Sequence, residues 1–326
     1  GIILFTFVLF VWTLVFSKEL NRLLGQNIVG PINDLVRVLQ NVQKGYFKQR
    51  VQIVSNDEIG YAGDVVNEMT KGLQEREEMQ QSLDLAREIQ QNLLPKKNPE
   101  IPGLDIAATT IYCDETGGDY YDFLLPEDDK KDRIRIVLGD VSGHGISSAL
   151  LMATSRALFR QRSAMQGNLA QVTSDVNCQL CQDVKDSGNF MTLFSMEIDT
   201  LRQCLKWVRA GHDPAMVYDS RTHTFTELKG DGIALGVDET WQFAENEIQN
   251  ISDGHIAALY TDGIWESQNS SGQRFGKEKL RKIIKKNAHL PSQEILDLAI
   301  TELNQFQKDV NSQDDATLII VKVIST

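Results

Sequence analysis

Positive charge is scarce in this sequence: its 326 residues carry 33 Lys and Arg against 45 Asp and Glu, a formal net charge of -12. A surface of that sign repels a phosphate backbone, which argues against nucleic acid as a partner. Cysteine is scarce as well. Of the four, Cys113, Cys178, Cys181 and Cys204, only Cys178 and Cys181 stand at C-x-x-C spacing. With no second pair and no nearby His they do not complete four zinc ligands, and reduced thiols in a cytosolic domain fit best. No internal repeat or low-complexity segment shows. The N-terminal end has neither the basic front nor the small-residue cleavage site of a secretory leader.

What is present starts with GIILFTFVLFVWTLVF, Gly1 to Phe16, an apolar run without a single charge. It is slightly short of the ~20 residues that span a bilayer and opens without a methionine, so residues 1–17 read as the cut end of a transmembrane helix. Lys18 and Arg22 follow at once and place the remainder of the chain in the cytoplasm, at the inner face of the cytoplasmic membrane.

From Ser17 to about Gln40 the apolar residues Ile32, Leu35, Val36 and Leu39 recur at three-four spacing behind Pro31, which predicts a helix. Gly45, Tyr46 and Phe47 break it, a polar connector with Val51, Ile53 and Val54 follows, and DEIG (Asp57 to Gly60) precedes a second helix marked by Val65, Val66, Met69 and Leu73. Two amphipathic helices joined by an extended connector behind a membrane helix resemble a HAMP signalling module, here residues 18–70. That resemblance implies a parallel four-helix bundle and therefore a homodimer. In residues 71–95 Met79, Leu83, Ala86, Ile89 and Leu93 recur among charges. This is the seam of a two-stranded coiled coil rather than of a lone helix, which would be marginal in water. Pro95 stops it.

Beyond residue 95 the periodicity changes. LDIAATTIY, YDFLL, RIRIVLGD, MTLFSMEID, QCLKWVRAG, PAMVYD, HIAALYTDG and ATLIIVKVI read as strands, Pro126 to Asp132 as an acidic turn, and GISSALLMATSRALFRQR, Gly276 to Lys286 and Ser292 to Phe306 as helices. Runs of strands interrupted by paired helices predict an α+β domain with antiparallel sheets over residues 96–326.

Four aspartates stand at strand ends or edges: Asp119 in GGDYYDF, Asp140 in LGDVSGHG, Asp262 in YTDGIWES and Asp314 in SQDDATLIIV. Short carboxylates in such places can converge, and converging carboxylates repel one another unless a cation sits between them. An all-oxygen set favours Mg²⁺ or Mn²⁺ over zinc, and two such ions can activate a water toward phosphorus. That chemistry is phosphate ester hydrolysis. Taken singly each motif is a turn more often than a site.

Taken in order, GGDYYDF, GDVSGHG, AGHDPAMVY, LGV, LYTDGIWES and DDATLIIV, with AREIQQNLLP in front, resemble the bacterial RsbU/SpoIIE branch of the PPM metal-dependent serine/threonine phosphatases. The resemblance runs from about Ala86 to the end. It implies an αββα sandwich of two packed antiparallel sheets flanked by helices, two Mn²⁺ or Mg²⁺ ions, and ligands at Asp119, Asp140 with the Val141 carbonyl, Asp262 and Asp314. Asp315 is a rival to Asp314. Asp122 holds a water or supports the sheet, His144 has no assigned role, and His212 in AGHDP is expected to order a turn. The arginine and histidine that eukaryotic relatives place near the metals have no clear counterpart.

The resemblance further implies a membrane-anchored, signal-regulated phosphatase acting on a phosphoprotein, by analogy a STAS-type anti-anti-sigma factor. Two other readings stand beside it: a catalytically silent scaffold, and a GGDEF-type cyclase, against which Tyr120 and Tyr121 replace the Glu-Phe that should follow Gly-Gly-Asp.

Overall fold

The computed structural model describes residues 1–52, 55–113, 116–125, 132–143, 145–308, 310, 312 and 314–325. Ile53, Val54, His144 and all but the last residue of the expected acidic turn lie outside the described residues. The chain divides into two units, Gly1–Asp84 and Leu85–Thr326.

In the first unit, helix α1 (Ile2–Leu24) continues through a π-helical turn, Gly25–Val29, into α2 (Gly30–Gln43). The expected helix therefore begins earlier than Ser17 and runs without a break. Pro31, which has no N–H to donate, occupies the first turn of α2. The apolar part of this helix is long enough to cross a membrane by length and composition, and none of α1 is buried. Helix α3 (Glu58–Leu93) spans 36 residues. It starts at DEIG because Asp57 caps it: Oδ1 accepts the Ile59 and Gly60 N–H groups, both at 3.0 Å. The connector is held to α3 by Asn67, whose Oδ1 accepts the Val51 N–H at 2.7 Å and whose Nδ2 donates to the Val51 carbonyl at 3.0 Å. Ile32, Val36 and Leu39 of α2 and Val65 and Met69 of α3 remain 42% to 46% exposed in the single chain.

The second unit holds two five-stranded antiparallel sheets. The first has the order β1 (Leu104–Ile111), β10 (Ala316–Val323), β9 (His255–Tyr260), β6 (Met216–Asp219), β7 (Thr224–Glu227). The second has β2 (Tyr120–Leu124), β3 (Arg133–Val141), β4 (Met191–Asp199), β5 (Cys204–Ala210), β8 (Asn246–Gln249). Between them run helices α4 (Ile146–Ser163), α5 (Leu169–Val184), the single turn α6 (Asp262–Trp265), α7 (Lys277–Asn287) and α8 (Ser292–Phe306).

The period of two along the strands decides the layering. In β10, Ile319 and Val321 join the core that continues into the second sheet, while Leu318 and Ile320 join a separate cluster with Leu280, Ile284, Leu296 and Leu303 of α7 and α8. Strand β9 divides likewise, Ala257 and Leu259 against Ile256, Ala258 and Tyr260. Met152, Phe159, Val176 and Leu180 of α4 and α5 belong to the core of the second sheet. The result is the expected α+β sandwich, helices over sheet over sheet over helices. Sequence periodicity did not anticipate α5, β7 or β8, and the strand expected through Gly263 ends at Tyr260, where Asp262 starts α6.

Candidate metal centre

Four short segments carry the acids, two from each sheet. Asp119 immediately precedes β2 and Asp140 lies near the end of β3 paired opposite Thr192, both in the second sheet. Asp262 opens α6 directly after β9, and Asp314 and Asp315 directly precede β10, both strands of the first sheet. The site thus spans the seam between two separately hydrogen-bonded layers.

Asp140 and Asp262 line one small cavity of about 180 Å³ together with Thr192, His212, Asp213 and Trp265. A larger groove of about 660 Å³ beside Cys181, Phe190 and Val237 contains neither of these aspartates. Burial pushes the Asp140 carboxyl up to about 8, helped by the charges of Asp262, Asp314 and Asp315. Asp119 is raised well above the carboxylate range by burial and by Asp140. Asp262 and Asp314 are raised in the same sense, first by burial and then by Glu266 and Asp262 respectively. No group of three or more His, Cys, Asp or Glu among the described residues is gathered closely enough to hold an ion; Asp140 and Asp262 face the same cavity, and the charges of Asp262, Asp314 and Asp315 act on Asp140.

The adjacent pair Asp314 and Asp315 separates cleanly. Asp315 is 3% exposed, and its two oxygens accept the Cys113 N–H at 3.0 Å and the Gly118 N–H at 2.9 Å. Asp314 faces solvent and only closes a local turn onto the Asp315 N–H at 2.9 Å. The glycines of GGD and TDG follow from this packing: a Cβ on Gly117 would collide with Asp315 Oδ2, and one on Gly263 with the Asp315 carbonyl. Val141 is buried, and its N–H reaches the Gly118 carbonyl at 3.3 Å.

Asp119 is 1% exposed, and its Oδ2 accepts from Thr261 Oγ1 at 2.9 Å and Thr317 Oγ1 at 2.5 Å. These threonines belong to the first sheet, so Asp119 is tied across the seam. Both stand inside the quoted motifs, next to Asp262 and Ala316, yet were not singled out because a hydroxyl carries no pattern of its own. The loop is gripped from a third side by Gln90 of α3. Its Nε2 donates to the Gly117 carbonyl at 2.5 Å, and its Oε1 accepts the Gly117 N–H at 3.1 Å.

Asp122 turns away from the cavity. Fully buried, it receives Arg160 through Nε at 2.6 Å and Nη2 at 2.7 Å and the Tyr120 hydroxyl at 3.2 Å. Of the two roles expected for it, the sheet-supporting one matches these contacts, which tie β2 to α4. His212 is 4% exposed. Its Nε2 donates to the Tyr260 carbonyl at 3.2 Å, which leaves Nδ1 to accept the Thr192 hydroxyl at 2.8 Å. Burial lowers it to about 4, so it stands neutral. Beside it Asp213 has both oxygens occupied, by Trp265 Nε1 at 2.6 Å and Lys277 Nζ at 3.0 Å. The Lys277 ammonium lies 4.7 Å from the Trp265 ring centroid.

Comparison with known proteins agrees with this geometry. Residues 130–324 match the family model "Stage II sporulation protein E (SpoIIE)" and residues 23–75 match "HAMP domain". Phosphoserine phosphatase RsbU of Bacillus subtilis is 28% identical over 252 residues, covering 77% of this chain and 72% of that protein. Protein IcfG of Synechocystis is 27% identical over 332 residues, 89% of this chain and 51% of IcfG, so the chain spans about half of that relative. Among solved structures, the SiaA-PP2C domain of Pseudomonas aeruginosa superposes with a TM-score of 0.67 at 22% identity, covering 77% of this chain and 98% of that one.

Proposed function

The chain belongs to the SpoIIE family, whose model matches more than half of it, and from that premise we propose that it is a metal-dependent protein phosphatase acting on phosphoserine or phosphothreonine. The observation that carries the proposal is the charge of the cavity. Asp140 and Asp262 face one space, and the Asp140 carboxyl is held up to about 8 by burial and by three neighbouring carboxylates. Such a cluster favours a divalent cation, and an all-oxygen donor set suits Mg²⁺ or Mn²⁺.

Asp140 with the Val141 carbonyl, Asp262 and Asp314 are the residues that would hold two such ions, with Asp119 beside them. When bound, the ions supply positive charge opposite the phosphate and acidify water next to it. The protein does the rest. Thr261 and Thr317 fix one oxygen of Asp119 and leave the other free. Asp315, buried and with one backbone donor on each oxygen, holds the Gly117–Gly118 turn and is assigned to the frame instead of the ligand set. His212, neutral and doubly bonded, fixes the cavity floor between Thr192 and Tyr260.

The HAMP match and the apolar helix α1 support a membrane-anchored, signal-regulated enzyme with its catalytic unit in the cytoplasm. The half-exposed apolar residues of α2 and α3 support a homodimer, because a second copy would cover them. By analogy with the RsbU branch, the substrate is a phosphorylated STAS-type anti-anti-sigma factor.

The deciding experiment measures hydrolysis of p-nitrophenyl phosphate and of a phosphoserine peptide with Mn²⁺, with Mg²⁺ and with EDTA, alongside Asp140→Asn. Metal-dependent turnover lost in the variant supports the phosphatase. Absence of turnover with either metal, while a partner protein still binds, would make the domain a scaffold.

A further inference from the structure

Helix α7 contradicts the charge of the rest of the chain. Its eleven residues, KEKLRKIIKKN, hold six Lys or Arg and one Glu, in a protein whose net charge is -12. Leu280 and Ile284 fix its buried side against α8 and the first sheet. Helical periodicity then turns Lys282, Lys285 and Lys286 outward, and all three are exposed. None of the three has an ion pair among the described residues, whereas Arg281 is engaged with Glu227 and Glu278, both at 2.6 Å.

An ordinary solvated helix would balance these lysines with acids at neighbouring turns. Acids are near: α8, packed beside α7, carries Glu294, Asp297 and Glu302 and no Lys or Arg. Yet no ion pair joins the two helices among the described residues. The basic face is thus left uncompensated.

It is also continuous with the active site. Lys277, the first residue of α7, reaches Asp213 at 3.0 Å and lies over Trp265, and both of these line the cavity with Asp140 and Asp262. Arg274 stacks on the same indole, 5.6 Å from its centroid. A positive ridge therefore starts beside the cavity at Lys277 and passes over to the outward face of α7, where Lys282, Lys285 and Lys286 follow within about 14 Å of helix rise.

We propose that this ridge is the docking surface for the substrate, and that the substrate is a protein segment in which the phosphorylated residue is accompanied by acidic side chains. The inference rests on the phosphatase reading for the identity of the cavity, and adds the class of sequence it receives. An acidic segment meets repulsion over most of this surface and attraction on the outward face of α7, whose first turn lies beside the cavity. Lys277, already matched to Asp213, would act at the rim, and the three free lysines would supply long-range attraction.

The test uses the full chain in neutral detergent with Mn²⁺ and two labelled phosphoserine peptides of equal length, one rich in Asp and Glu and one in Ser and Gly. Binding is read by fluorescence anisotropy, with p-nitrophenyl phosphate turnover measured in parallel. The acidic peptide should bind on the order of tenfold more tightly than the neutral one at low salt. That ratio should fall toward one in about 0.5 M NaCl and in the charge-reversed variant K282E/K285E/K286E, whose p-nitrophenyl phosphate turnover should match the parent.

Equal affinities in the parent, or an unchanged ratio in the variant, overturn the ridge. So does a variant that loses co-sedimentation with phosphatidylserine vesicles while keeping its peptide preference, which reassigns the face to a membrane. Loss of p-nitrophenyl phosphate turnover in the parent with the peptide ratio intact supports the ridge and counts against the phosphatase reading alone.

Discussion

The side-chain amide of Gln90 and the backbone of Gly117 satisfy each other completely, Nε2 to carbonyl at 2.5 Å and N–H to Oε1 at 3.1 Å, with both residues buried. Through this ring the last turns of α3 grip the loop that presents Asp119. Gln90→Ala leaves a donor and an acceptor buried without partners, each costing about 1–3 kcal/mol. Gln90→Glu keeps an acceptor but loses the donor. Both variants should unfold earlier in urea and bind Mn²⁺ more weakly. If Gln90→Ala unfolds with the parent, the ring does not hold the loop.

The contrast between Asp314 and Asp315 gives a paired prediction. Asp315→Ala strips acceptors from the buried Gly118 and the half-buried Cys113 N–H groups and should lower stability by roughly 2–4 kcal/mol. Asp314→Ala removes an exposed carboxylate that raises its neighbours, so the metal-free protein should be as stable as the parent or more so, with cation affinity reduced at least tenfold. Calorimetry of metal binding beside thermal unfolding separates the two. A folded Asp315→Ala variant with normal stability would return Asp315 to the ligand set beside Asp314.

Arg160→Ala removes the bidentate partner of Asp122 and leaves a fully buried carboxylate with the Phe123 N–H at 2.9 Å, the Tyr120 hydroxyl and the more distant Arg156, at 3.8 Å, to compensate. A loss of about 3 kcal/mol is expected. Turnover per folded molecule should remain near the parent value, because this pair ties β2 to α4 and does not border the cavity. A specific fall in activity at normal stability would place Asp122 in the machinery after all.

Acidity should act in two opposite windows. The Asp140 carboxyl, raised from 3.8 to about 8, contributes stability that is complete below the unfolded value and is lost as pH rises through about 8. His212, lowered from 6.5 to about 4, must stay neutral in the fold, so stability falls as pH drops from about 6.5 toward 4. Between about pH 4 and 6.5 the two slopes oppose each other and above 6.5 only the Asp140 loss remains, so the metal-free protein is expected to hold a plateau over about pH 4–6.5 and to lose stability from there to about 8. Asp140→Asn should remove the alkaline decline and His212→Asn should flatten the acid one. Cation affinity should rise between about pH 6 and 8, since binding displaces the Asp140 proton. Tm measured against pH with EDTA and with Mn²⁺ checks all three.

Much of this architecture was legible in the residues. The strands of the central sheets are apolar runs ended by Gly and Asp, so β1, β3, β4 and β10 were plain, as was the α4 helix behind its glycine. Asp119, Asp140 and Asp262 were legible because each stands beside a glycine, and the packing of Gly117 and Gly263 against Asp315 explains that company for two of the three loops. Helix α5 escaped notice for a physical reason. Its apolar residues Leu169, Val172, Val176 and Leu180 are interleaved with Thr173, Ser174 and Asn177, which are themselves buried. Short edge strands β7 and β8 alternate buried and exposed positions too briefly to register. The choice between Asp314 and Asp315 could not be read from order alone, since it depends on which carboxylate meets the Gly118 and Cys113 amides some two hundred residues away. Gln90, Thr261, Thr317 and Lys277 act through partners that only the fold brings near.

The strand order has a consequence for synthesis. Strand β1 pairs with β10 alone, and β10 joins β1 to β9, so the first strand of the domain waits for the last. A ribosome-bound chain that has produced everything up to Ser312 can form the second sheet, but it lacks Asp314, Asp315 and the Thr317 hydroxyl that secures Asp119. Such a chain exposes the unpaired edges of β1 and β9 and has no route to a working centre. On the proposed reading of the site, activity therefore waits for the synthesis of β10, and a product that stops before it is expected to be inert.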